Sequence, residues 1–284
     1  MKPSESEVTK LYLFLKSRHG AKLRQLESEA KAFADYLMTL SNFKIIGAQL
    51  PTEDRHVGRV IVDGVLQVGK NYERQVRPAV ERILKFPGAA TVSGFIYLLR
   101  TQQLKNLINF KTEGTKNDLL MIARFFAAKK VQTFDDLYKW LESEKNRDNL
   151  LAKNSGLEGK VFTIADKTAD YFRVLVRHWD AVAIDSHIRD LLDKAGVVSR
   201  YSKKYGYKEM RAIVQLAAVS HLHCRPVDLD ASIYQYSTAK KSGKKPKITS
   251  LANLQRGNSK YCIECGEHIL QRAKYCPKCR AYQL

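Results

Sequence analysis

Four cysteines near the C-terminus are spaced to hold a metal ion. Cys262-Ile-Glu-Cys265 and Cys276-Pro-Lys-Cys279 form two C-x2-C pairs ten residues apart, and each pair can bring two thiolates to about 2.3 Å from one zinc ion with tetrahedral closure. Four thiolates leave no position open for water, so one structural Zn ion is expected rather than a catalytic one. A redox pair or free thiols is the plain alternative, and the duplicated spacing argues against it. Arg272, Lys274, Lys278 and Arg280 stand beside Tyr261, Tyr275 and Tyr282, a mixture suited to phosphate contact with base or sugar stacking. A ribbon serving only solubility or protein contact is the bland reading of the same residues.

A second constellation joins a lysine to a carboxylate. In Val161-Phe-Thr-Ile-Ala-Asp-Lys-Thr-Ala-Asp-Tyr-Phe172 the spacing predicts a helix from about Asp166 to Arg177 whose core face is Ala169, Phe172, Leu175 and Val176. Lys167 then lies in the first turn, off that face, with Asp170 and Tyr171 one turn further on. The apolar run Ala181 to Ile184 ends at Asp185, placed to cap a helix over Ser186 to Lys194. Lys167 and Asp185 thus sit at the starts of consecutive helices. Taken singly, Lys167 reads as a solvated lysine paired with Asp170, and Asp185 as an N-cap. His187 reads as a residue orienting its loop, Trp179 and Tyr171 as packing groups, and His221, His223 and Cys224 as incidental.

The elements carrying these residues are mostly helical. Leu11, Phe14, Leu15, Leu23, Leu26, Ala30, Phe33 and Leu37 recur at helical spacing, with Ser4 and Glu7 as a capping box. Phe43 to Leu50 suits a short strand or a buried loop. Further helices are expected through Val57 to Val68, Tyr72 to Leu84, Thr91 to Arg100, Lys116 to Ala128, Thr133 to Leu141, Lys208 to Ser220 and Asp230 to Tyr236. Beyond them, STAKKSGKKPKITS holds five lysines and no acid, the composition of a flexible basic linker. The expected organisation is an N-terminal helical segment 1–54, a helical domain 55–236, a linker 237–258 and a zinc ribbon 259–284.

With 284 residues, 44% of them hydrophobic, the chain can bury a substantial core. Its 49 Lys and Arg against 29 Asp and Glu give a net charge of +20, which points to a polyanion. Residues 194–284 hold 18 basic and 5 acidic side chains, so the anionic partner is expected along the C-terminal third. No run approaches a spanning helix and MKPSESEVTK lacks the apolar core of a signal peptide, so no membrane partner and an intracellular, DNA-associated, monomeric protein are expected.

Asp-Lys-Thr-Ala-Asp at 166–170 and Val-Ala-Ile-Asp-Ser-His-Ile-Arg at 182–189, with 18 residues from Lys167 to Asp185, resemble the helix-hairpin-helix (HhH-GPD) DNA glycosylase superfamily, which includes endonuclease III and 8-oxoguanine glycosylases. The resemblance is clear over 150–195, extends by helix order over 55–236, and does not reach the cysteine tail. It implies two helical subdomains around a hairpin at about 156–176. Lys167 is implied as the nucleophile attacking the sugar C1′, and Asp185 as the group assisting deprotonation and stabilising the charged sugar. Gln67, in Val65-Leu-Gln-Val-Gly69, matches a helix-borne glutamine that fills the gap left by a flipped base. Arg189 is a further candidate DNA contact, and Lys160 and the tail lysines Lys240, Lys241, Lys244 and Lys245 are candidates to compensate for the phosphate contacts of the family hairpin. Thr163 and Ala165 replace the glycines by which the family hairpin approaches a phosphate, and Gly156 and Gly159 offer a differently shaped start. Asp228, Asp230 and Tyr171 are the candidates to line a base pocket. Endonuclease III relatives carry an iron–sulfur cluster with uneven cysteine spacing; the even pairs here predict zinc and no such cluster.

Three readings follow. The first is a bifunctional glycosylase and lyase acting on double-stranded DNA with a modified or mismatched base, an oxidised one preferred; extrusion of the base is offset by phosphate contacts. The second is a non-catalytic DNA-binding protein of the same fold. The third is a glycosylase without lyase action, in which Lys167 contacts phosphate and water is the nucleophile.

Overall fold

The computed structural model describes residues 2–47, 55–68, 72–101, 113–151, 164–198 and 204–241, with two strand segments at 259–261 and 268–270. The chain divides into a large unit, Met1–Ser242, and a small one, Gly243–Leu284. The described part of the large unit is helical. α1 (Glu5–His19) begins at the expected capping box, in which the Glu7 amide donates to Ser4 Oγ and the Ser4 amide to Glu7 Oε2. Then come α2 (Leu23–Thr39), α3 (Val57–Leu66), α4 (Arg77–Ile83), α5 (Val92–Arg100), α6 (Glu113–Ala128), α7 (Phe134–Leu141) and α8 (Glu144–Leu150). The last four are α9 (Asp166–Leu175), α10 (Ser186–Lys194), α11 (Tyr207–Leu216) and α12 (Pro226–Lys241). Thr91 and Thr133 cap α5 and α7 by accepting the Gly94 and Asp136 amides, as side-chain oxygens do at helix starts.

Several boundaries differ from the sequence reading. Residues 43–47 carry no regular structure, and the Ile46 amide donates to Ser232 Oγ at 2.9 Å instead of to a strand. The run from Tyr72 opens with a wide π turn, Tyr72–Val76, before α4, and α11 closes with a second one, Ala217–His221. α12 starts at Pro226 and continues to Lys241, so five residues assigned to the basic linker are helical.

Two apolar cores organise the large unit. The first gathers α3 to α8 and closes on α9 through Ala169, Phe172, Leu175 and Val176. The second joins α1 and α2 to Val182, Ile184, α10, α11 and α12. The N-terminal helices thus share a core with the chain's later part, and the seam between cores falls inside the span 55–236. Gly64 permits a close approach here: a β-carbon on it would lie 2.6 Å from the Phe172 ring, which lets α3 pack tightly against α9. The chain crosses from one core to the other over residues 177–181, after the helix that carries Lys167 and before the residue that caps α10.

In the small unit, β1 (Ser259–Tyr261) pairs antiparallel with β2 (His268–Leu270), Tyr261 facing His268 at the closed end. No helix among the described residues is long and apolar enough to cross a membrane.

Candidate active site

Lys167 occupies the first turn of α9 and is exposed. The sequence offers Asp170 as its ion-pair partner, and the structure removes that possibility. Asp170 is fully buried and belongs to Arg147 of α8, which donates to Asp170 Oδ1 through Nε at 3.0 Å and to Oδ2 through Nη2 at 2.8 Å. The same guanidinium donates to the Asp166 carbonyl at 3.1 Å, lies 2.8 Å from the Asp166 carboxylate and donates to Asp148 at 2.8 Å. Burial disfavours its charge, but Asp170 raises the Arg147 pKa above the ordinary arginine value. Arg147 therefore fastens the residue before Lys167 and the residue three after it, leaving the lysine between two fixed points.

Asp185 has the role its position predicts: its Oδ1 accepts the Ile188 amide at 2.9 Å and caps α10. Lys167 and Asp185 thus begin consecutive helices, one anchored in each core. His187, in the first turn of α10, meets the Tyr234 ring edge-on at 5.7 Å between centroids, and Tyr234 meets Tyr72 at 6.4 Å. An aromatic row therefore runs across the seam.

The pocket candidates separate. Asp228 is fully buried and committed to Arg225, which donates to both its oxygens at 2.8 Å. It braces the start of α12 and is not presented to a ligand. Asp230 instead accepts the Ala183 amide at 3.0 Å, two residues before Asp185. Burial, reinforced by the negative charges of Asp185 and Asp170, pushes its carboxyl up to about 7 against an ordinary 3.8. Between these values the folded protein holds a proton that the unfolded chain releases, so this group's contribution to stability falls as pH rises from about 4 to about 7 and is constant above. Asp230→Asn keeps the amide's acceptor and removes the charge. It is expected to raise the thermal midpoint relative to wild type at pH 8 but not at pH 4, and equal differences at both would refute the assignment.

Tyr171 donates to Asp63 Oδ1 at 3.1 Å and Tyr72 to Asp63 Oδ2 at 3.2 Å. Asp63 lies fully buried on α3, where burial raises its carboxyl pKa against the opposing pull of Arg59. Tyr171 is one turn along α9 from Lys167, roughly 6 Å of rise, so the lysine and the Asp63 contact share one side of the helix. Gln67 ends α3 as its C-cap, its Nε2 buried without a partner. Arg189 and Ala165 are exposed, and Ala165 precedes α9 in extended conformation with no side-chain cap.

A buried ionic network ties the two cores beside this site. Glu144 at the start of α8 accepts from Arg173 of α9 and from Arg211 of α11, the latter at 2.5 and 3.2 Å. Arg173 also donates to Asp180 at 2.8 Å, and His178 lies 2.5 Å from the same oxygen. Burial opposes ionisation of Glu144, yet the two guanidinium charges hold its carboxyl down at about 2. The sequence reading missed this helix and both its charged anchors, because Glu144 to Leu150 shows almost no apolar period.

Lys160, Thr163, Lys244, Lys245, Arg272, Lys274, Lys278, Arg280 and all four paired cysteines lie outside the described residues, as do the side chains of Lys240 and Lys241. The fifth cysteine, Cys224, is buried, its thiol pushed up to about 12 by that burial, which makes it inert. Comparison with known protein families, curated proteins and solved structures returns no match. The resemblance to the helix-hairpin-helix glycosylases accordingly rests on the residues at 166–170 and 182–189.

Proposed function

We propose that the chain is a DNA glycosylase with abasic-site lyase activity, a member of the helix-hairpin-helix glycosylase class that removes a modified or mismatched base from double-stranded DNA. The observation that carries this reading is the placement of an exposed lysine, free of its expected carboxylate, and a capping aspartate at the starts of consecutive helices on either side of the crossing between two cores. Lys167 Nζ, unprotonated, attacks C1′ of the extruded nucleotide; the N–C1′ bond forms as the bond to the base breaks, and the base leaves with a proton. Opening of the sugar gives an imine, loss of the C2′ proton breaks the C3′–O bond, and the strand is nicked. Asp185 faces the positive sugar and stabilises it.

The charge of +20 supplies the phosphate affinity that base extrusion requires. One structural zinc ion on Cys262, Cys265, Cys276 and Cys279 completes the reading. It is supported by the spacing and by the hairpin, whose six-residue connection 262–267 contains the first pair. Zinc bound there would tie the two cysteine pairs together in the segment that carries Arg272, Lys274, Lys278 and Arg280.

Borohydride trapping tests the reaction on duplexes carrying an abasic site, 8-oxoguanine, thymine glycol, uracil opposite guanine or thymine opposite guanine. A covalent adduct formed by wild type and lost in Lys167→Ala is expected. Base release without an adduct points to water as nucleophile, and salt-sensitive binding with neither points to a non-catalytic DNA-binding protein.

A further inference from the structure

Arg177 stands where glycine is expected. The helix carrying Lys167 ends with two hydrogen bonds, Arg177 N–H to the Val174 carbonyl and His178 N–H to the Arg173 carbonyl, both 3.0 Å. They form a Schellman closure whose left-handed residue, at φ 60°, is Arg177. A side chain at that position strains the backbone and glycine does not. Asn42, Lys130 and His223 share the conformation, but each is exposed. Arg177 is largely covered, and the like charge of Arg59 adds to burial in disfavouring its guanidinium. A covered cation on strained backbone carries a cost that the interactions of its side chain must offset.

Arg59 supplies the second half. Arg59, Asp63 and Gln67 recur every four residues along α3, forming one polar row in an otherwise apolar helix. Arg59 Nη1 is shut from solvent without a hydrogen-bond partner, and among the described residues neither Arg59 nor Arg177 forms an ion pair. Asp63, one turn along α3 from Arg59 and beneath its two tyrosines, feels the charge of both arginines, and Asp230, on the Ala183 amide, feels that of Arg177. Carboxylates so near disfavour a phosphate as occupant, whereas a nucleobase edge offers a carbonyl to the arginines and an N–H to the carboxylates.

We propose that Arg59 and Arg177 are specificity-determining residues which read the carbonyl oxygen of an extruded base having adjacent C=O and N–H groups, the edge of an oxidised purine or a pyrimidine dione. This inference rests on the glycosylase reading and deepens it.

Arg177→Gly is the decisive variant because it removes the side chain while relieving the backbone. Its thermal midpoint is expected to match or exceed that of wild type. Single-turnover excision of 8-oxoguanine and of uracil, each divided by the rate of trapping on an abasic duplex, is expected to fall about tenfold or more for the preferred lesion, the scale of one lost bidentate base contact. Arg59→Met is expected to lower the same ratio. A wild-type ratio in both variants overturns the proposal while leaving the lyase reading intact. If wild type traps nothing, the lyase reading fails by itself, and the affinity ratio of lesion to undamaged duplex decides in its place: a ratio equal in wild type and Arg177→Gly refutes the arginine site, and a loss of about tenfold supports it.

Discussion

Arg147→Ala is expected to cost about 3–5 kcal/mol of stability, the usual penalty for removing one partner of a buried ion pair. The change would leave Asp170, with no exposed surface, to Arg211 at 3.5 Å and the Tyr207 hydroxyl. It would also strip the Asp166 carbonyl and carboxylate of their partner at the first turn of α9. Arg147→Lys keeps the charge but not the fork that spans both oxygens of Asp170 and reaches Asp166 together, so it should fall between wild type and alanine. Urea unfolding reads both variants: the midpoint moves while the slope stays, because the exposed surface is nearly unchanged. A midpoint equal to wild type in Arg147→Ala would sink the clamp argument.

Lys167→Ala is expected to leave the fold untouched and to lower strand nicking by on the order of 10³-fold or more, the scale of deleting a nucleophile. The side chain is exposed, and among the described residues nothing is hydrogen-bonded to it, so no packing is lost. Duplex affinity should change little, with a salt dependence at most about one charge shallower. Lys167→Arg should be as inactive as alanine, since a guanidinium stays protonated and cannot attack carbon. Nicking rates measured across salt concentrations separate these effects; nicking that survives in Lys167→Ala would remove the lysine from the chemistry.

Much of the fold was legible because the apolar period of an amphipathic helix is written in neighbouring residues. α10 spans the expected Ser186 to Lys194 with Asp185 as its cap, and Leu11, Leu26, Phe33 and Leu37 are buried as their spacing requires. What escaped was polar burial. Asp170 looks like a surface partner for Lys167 until Arg147, 23 positions earlier, claims it. Asp228 looks as open as Asp230, and only Arg225 distinguishes them. Asp63 sits in the apolar run Val60 to Leu66, where a lone acid gives no hint of two tyrosines reaching it. One signal was present: Arg59, Asp63 and Gln67 at intervals of four mark a polar row on a buried helix. The pairing of α1 and α2 with distant α11 leaves no local trace, since period reports which face is buried and not against what.

That pairing bears on how the molecule is born. Helices α3 to α9 emerge from the ribosome consecutively and find their packing partners within one continuous stretch, so nascent chain can condense there at once. α1 and α2 are made first and docked last: Leu26 and Phe33 share a core with Ile213 and Ile233, and must wait, apolar faces uncovered, until those residues are synthesised. Protease should therefore cut α1 and α2 in chains stalled near residue 200 and spare them once the full length has been released.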